Sequence, residues 1–296
     1  MVKNRFLIGH YGKYDLSKQD RDFREYFFGV EICSISDSND IAELMKEAKK
    51  NNFSYGVHMP MRAGQWKLRD AQFLSKNKNC QKESYNYLER EIEYISQYKP
   101  NYILIHFPKP MLLDERVDWS SWRFADTSEF YNETDYPYEM FMQKSEEFFI
   151  WLTKQAKAYG FTPVLEFDLV NKYIYDNKKF YELITSYPLI KICLDIPRLH
   201  LQTQLDKYFK VDSFINQYAK HTYLVHLSNL SIEKGLNHYP ALPSLSPKEG
   251  WADVETYLNK IKEHNNSFKL LYEHWSNAVN AKQLQECYDW IEGILS

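Results

Sequence analysis

Eight short runs of apolar, β-prone residues recur along the chain, and most are followed by a stretch whose apolar positions fall at helical spacing. The runs are Arg5–Gly9 (RFLIG), Gly29–Cys33 (GVEIC), Tyr55–His58 (YGVH), Tyr102–His106 (YILIH), Pro163–Glu166 (PVLE), Ile190–Asp195 (IKICLD), Thr222–His226 (TYLVH) and Lys269–Glu273 (KLLYE). Short runs rich in Val, Ile, Leu and Tyr predict strands with buried bodies. Between them, Glu83–Gln97 sets Tyr85, Leu88, Ile92 and Ile95 on one stripe. Phe141–Tyr159 repeats Phe148, Phe149, Leu152, Ala156 and Tyr159 at three- and four-residue steps. Both read as helices. Further helices are predicted over Ser17–Phe27, Asn39–Lys50, Asn177–Ser186, Leu205–Lys220, Trp251–His264 and Ala281–Ile294, with N-cap chemistry at Ser38, Asn39 and Asp40 for the second. Alternating strands and helices predict βα units on a parallel sheet, and eight of them predict closure. The expected class is α/β, a (β/α)8 (TIM) barrel formed by residues 1–296 as a single domain.

One connection is out of scale. After the fourth run, residues 108–138 carry no clean period, whereas most loops stay below about 12–15 residues. Trp119, Trp122 and several tyrosines and phenylalanines argue for a folded loop over the barrel mouth, and both tryptophans are candidates to stack on a ligand. A second irregular stretch, residues 228–250, follows the seventh run.

Composition narrows the field. A net charge of −3 sets the chain apart from dedicated nucleic-acid binders, whose domains are strongly basic, so nucleic acid is not an expected partner. No run approaches the ~20 apolar residues of a membrane span, and the first residues lack the apolar core of a signal peptide. Cys33, Cys80, Cys193 and Cys287 stand singly, without a CxxC pair, which argues for reduced thiols and a cytoplasmic protein. A homo-oligomer is compatible with all of this.

The chemistry lies at the ends of the late runs. Glu166, Asp195, His226 and Glu273 each follow an apolar run, and in a parallel barrel such ends converge at one mouth. Three carboxylates and an imidazole suit one divalent metal, among Mn²⁺, Zn²⁺, Mg²⁺ and Co²⁺. His58 and His106 end the third and fourth runs, and with Glu166 they make a zinc-type set, so they are either ligands of a second metal or part of the pocket wall. Glu31 in the second run is a candidate for substrate contact or for structural support.

The order Glu166, Asp195, His226, Glu273 on successive strand ends resembles the xylose-isomerase-like TIM-barrel superfamily, which holds sugar isomerases and epimerases together with endonuclease IV. The resemblance covers nearly the whole chain but rests on short motifs. It implies a metal at the mouth held by these four residues. In the epimerase branch it also implies that Glu166 and Glu273 form the acid/base pair acting on a small carbohydrate. In the endonuclease branch it implies a further zinc on His58, His106 and Glu166.

This chain departs from both branches. Arg198 stands three residues after Asp195, where a histidine is usual, and Asn229 replaces a frequent aspartate. Of an Asp-x-His pair, Leu236–Asn237–His238 keeps only the histidine. A three-zinc nuclease site is therefore not expected. Arg198 can grip a carboxylate or phosphate, which makes an acidic group on the substrate an expectation, with His238 as another contact. The leading expectation is a metal-dependent isomerase or epimerase of a sugar, sugar acid or sugar phosphate. The alternatives are an endonuclease IV-like phosphodiester hydrolase with one or two metals, and a non-catalytic barrel that binds metal and ligand.

Overall fold

In the computed structural model, which describes residues 2–296, eight parallel strands close into one barrel. They are β1 (Phe6–Tyr11), β2 (Gly29–Cys33), β3 (Ser54–His58), β4 (Tyr102–Phe107), β5 (Thr162–Phe167), β6 (Lys191–Asp195), β7 (Thr222–Leu227) and β8 (Lys269–Tyr272). Each pairs with its neighbours in chain order, and β8 closes on β1. All eight expected runs are strands.

Side chains alternate along a strand, so each strand feeds two cores. Leu7, Tyr102, Leu104, Val164, Cys193, Leu224 and Leu271 form one buried cluster, the plug inside the barrel. Phe6, Ile8, Val30, Ile32, Ile103, Ile105, Leu165 and Leu194 belong to the layer beneath the helices. The period of two then fixes where chemistry can occur. His106, Glu166, Asp195, His226 and Glu273 each lie two residues beyond a plug residue (Leu104, Val164, Cys193, Leu224 and Leu271). They therefore share its inward face, one layer nearer the C-terminal mouth.

Gly56 on β3 makes room for this arrangement. A β-carbon there would stand 2.0 Å from the ring of Tyr102. The space lets the Tyr102 ring cross the barrel, where its hydroxyl donates to Glu31 Oε2 at 2.7 Å.

The helices differ from expectation in two places. The first, Leu16–Asp22, ends early because Phe23 turns to extended backbone, and Phe23 and Phe27 pack against the core. The span expected as Leu205–Lys220 is instead Ile196–Leu205 followed by Val211–Tyr218. Asp195 starts the earlier helix as its N-cap, accepting from the backbone N–H of Arg198 at 2.8 Å, with Pro197 in the first turn.

Both long connections are folded. Met111–Leu113 pairs in parallel with Phe130–Asn132, and Met111, Leu113, Trp119, Trp122 and Leu169 make a small core of their own. After β7, Asn229–Ser231 and Leu236–Tyr239 form a hairpin. No helix among the described residues is long and apolar enough to cross a membrane.

Candidate metal centre

Glu166, Asp195, His226 and Glu273 meet at the C-terminal ends of β5 to β8. His226 Nδ1 stands 3.3 Å from Glu166 Oε2 and 3.2 Å from Glu273 Oε2. Asp195 joins them, with donor atoms of Asp195, His226 and Glu273 within 4.8 Å of one another. Glu166 Oε2 and His226 Nδ1 are buried and have no hydrogen-bond partner, although both are polar atoms that normally require one. Close approach without hydrogen bonding is what a shared cation would produce. Donor atoms bonded to one ion at about 2.1 Å stand roughly 3.0–3.4 Å apart. The residues fit a divalent metal.

Without a cation the carboxylates recruit protons. Burial works against charge on His226, but Cys193, Glu31, Glu166 and Glu273 outweigh it and raise its pKa well above the usual value. Burial and the neighbouring Glu166 push Asp195 up to about 7. Burial opposes ionisation of Glu273 too, yet His226 holds its carboxyl down at about 2. Beneath the site, His226 Nε2 is 3.4 Å from Glu31 Oε2, the same oxygen that accepts from Tyr102. The line from Gly56 through Tyr102 and Glu31 to His226 is a support that orients the imidazole from below. Glu31 is fully buried in that position and does not line the cavity above.

His58 and His106 are turned toward Glu166 as well. His58 Nδ1–H donates to the Met59 carbonyl at 3.0 Å, which leaves Nε2 facing Glu166 Oε2 at 3.5 Å. His106 Nδ1–H donates to Asp70 Oδ1 at 2.9 Å, which leaves Nε2 facing Glu166 Oε1 at 3.7 Å, buried and unpartnered. An imidazole anchored through one nitrogen offers the other as a ligand.

Sequence reasoning missed the residues behind His106. Lys109, fully buried, places its ammonium 2.8 Å from Asp70 Oδ2 and 2.5 Å from Asp168 Oδ2. Arg198 spends its guanidinium inside the protein, with Nε 2.9 Å from Glu166 Oε1 and Nη1 on Asp168 Oδ1. The signal for Asp168 was available, because it lies two residues after Glu166, just past the end of β5, at the spacing that returns to the same face. Lys109 gave none, since a lysine between two prolines reads as a solvated loop residue.

A cavity of about 340 Å³ opens above the metal set. Asp195, Glu273, Arg198 and His238 lie on its wall with Asn237 and Trp122. His238 donates from Nδ1 to the Glu273 carbonyl at 3.2 Å and adopts φ +47°, in the left-handed region. Both tryptophans are buried in the loop's own core. Trp122 reaches the cavity wall, whereas Trp119 does not line it, its indole N–H bonded to the Asp114 carbonyl at 3.0 Å.

No family profile and no curated protein sequence matches this chain. Solved structures do. A D-tagatose 3-epimerase-like protein superposes over 99% of this chain and 100% of its own with a TM-score of 0.63 at 14% identity. The IolI protein with a bound zinc atom covers 99% and 98% at TM-score 0.61 and 12% identity. The 3-keto-D-glucoside 4-epimerase YcjR from E. coli covers 98% and 99% at TM-score 0.60 and 12% identity. A Salmonella typhimurium protein with a xylose isomerase domain covers 99% and 98% at TM-score 0.60 and 13% identity. The barrel expected from the sequence is thus shared, end to end, with sugar epimerases and a xylose isomerase domain.

Proposed function

We propose that this protein is a metal-dependent isomerase or epimerase of a sugar, sugar acid or sugar phosphate. One observation carries the reading: two glutamates flank a single unpartnered histidine nitrogen, and one of them, Glu273, lies with Asp195 on the wall of a substrate-sized cavity. A divalent ion held by Glu166, Asp195, His226 and Glu273 would supply Lewis-acid polarisation of sugar oxygens and stabilise developing negative charge.

The chain's own residues do the rest. Inversion beside a carbonyl needs a base on one face of the carbon and an acid on the other. Glu273, on the cavity wall, is the group that meets substrate first. Glu166 comes from a separate strand, and Arg198 on its Oε1 fixes the carboxylate so that Oε2 faces the site. Trp122 lies on the cavity wall, and Arg123, also on that wall and exposed, is placed to meet an acidic substituent.

The test is exchange of a substrate C–H proton in D2O, followed by NMR over a panel of ketoses, sugar acids and sugar phosphates with metal-loaded protein. Exchange by wild type that is lost in Glu166→Gln and Glu273→Gln supports the reading. A metal-loaded wild type that exchanges none of the panel removes it.

A second reading, an endonuclease IV-like phosphodiester hydrolase, draws on the ligand-ready nitrogens of His58 and His106 beside Glu166. Chelator-sensitive cleavage of an abasic-site duplex would put it first.

A further inference from the structure

Behind the mouth lies a second set of metal-ligand type. Donor atoms of Asp70, His106 and Asp168 all lie within 4.8 Å of one another, and all three residues are buried. Two carboxylates and an imidazole suit Mn²⁺, Zn²⁺ or Co²⁺. Two carboxylates this close and this buried cannot both stay ionised without a compensating cation. Here the cation is part of the chain: the Lys109 ammonium stands within hydrogen-bond distance of one oxygen from each. The remaining oxygens are also taken, Asp70 Oδ1 by His106 and Asp168 Oδ1 by Arg198. Arg69 approaches from the rim, 3.4 Å from Asp70 Oδ2 and 3.5 Å from Asp168 Oδ2.

We infer that Asp70, His106 and Asp168 form a cation site whose occupant is the Lys109 ammonium, and that this lysine excludes a divalent ion from that corner. Its side chain enters from the segment just after β4, between Pro108 and Pro110, so the charge is delivered by the fold and is independent of metal supply. A consequence follows for His106. With Asp70 shared between Lys109 and His106 Nδ1, the imidazole keeps Nε2 turned to Glu166. A metal drawn into the Asp70–Asp168 corner would compete for Nδ1 and turn the ring away from the mouth. Lys109 is thus a positioning residue for His106.

The experiment compares divalent-metal stoichiometry of the full chain, wild type against Lys109→Ala, by elemental mass spectrometry after loading with Zn²⁺ and by Co²⁺ titration followed in the visible spectrum. Lys109→Ala is expected to bind one equivalent more than wild type, with a new Co²⁺ absorption band. Adding Asp70→Asn to Lys109→Ala is expected to abolish the extra equivalent, and Lys109→Arg to bind the same number as wild type. Should Lys109→Ala be unstable without metal, its melting temperature must rise on adding Zn²⁺ by more than that of wild type. An equal stoichiometry with an equal metal-induced shift, or a variant that stays unfolded with metal, overturns the inference. The inference shares His106 and Arg198 with the site described above, and neither is altered in its test. The wild-type count tests the metal reading of the mouth, and the difference between the two proteins tests Lys109, so the two fail separately.

Discussion

Two clusters of buried carboxylates face each other across Glu166, and they are treated in opposite ways. In the β3–β5 corner, every carboxylate oxygen of Asp70 and Asp168 lies against Lys109, Arg198, Arg69 or His106. In the β5–β8 corner, Glu166 Oε2 and His226 Nδ1 are buried with no partner. Since an uncompensated buried charge costs several kcal/mol, the first corner is closed by the chain's own cations. Under the proposed function, the second is left for a cation from outside. On that reading the paired corner serves stability and the unpaired one serves chemistry.

The largest expected effect breaks the open corner. Glu273→Gln should lower substrate turnover by about 10²–10⁴-fold, the usual worth of a positioned acid/base, with the melting temperature little changed. Steady-state kinetics beside thermal melts would check it, and turnover near the wild-type rate would separate Glu273 from the chemistry. Next is the closed corner, where Lys109→Met removes the ammonium but keeps the volume. It should cost about 3–5 kcal/mol of stability in denaturant unfolding, the range for breaking a buried pair. A cost below about 1 kcal/mol would place this corner with ordinary surface ion pairs.

His10 sharpens the comparison as a third solution, a buried imidazole kept neutral. It is bonded to Gln19 at 2.9 Å, and burial lowers its pKa to about 4. Between pH about 6.5 and 4 the unfolded chain binds a proton that the folded chain refuses. Stability should therefore fall as pH drops through that window, by up to about 3 kcal/mol from this group. Unfolding of His10→Gln across the same range should show a shallower slope, and an unchanged slope would assign the acid loss elsewhere. The smallest effect belongs to an exposed pair. Lys67 and Glu83 stand 2.7 Å apart in solvent, and Lys67→Ala should leave melting unchanged.

The strands were legible because a buried parallel strand leaves a dense apolar run, and the period of two then picks out the residue that points into the mouth. That is how Glu166, Asp195, His226, Glu273, His58 and His106 come together as expected. The helix Ile196–Leu205 escaped because Asp-Ile-Pro-Arg reads as a turn, although Asp followed by Pro two residues on is also N-cap chemistry. Trp119 took another post than the one expected, since burial inside a loop core depends on which segments return in space, and for the same reason the sequence left both roles of Glu31 open. The same holds for Lys109, whose partners lie 39 and 59 residues away in sequence, at Asp70 and Asp168.

Asp195 holds two posts at once. It is a wall residue of the cavity and the first anchor of the helix Ile196–Leu205, one oxygen already given to the Arg198 N–H. Anyone redesigning this mouth for a different substrate inherits that double duty. Asn keeps the anchor and gives up the charge, whereas Ala gives up both and should also cost about 1 kcal/mol of helix stability. Exploration of new chemistry at this position by drift or by directed evolution is therefore channelled through a single conservative step, and variation is freer on the hairpin and loop that face it.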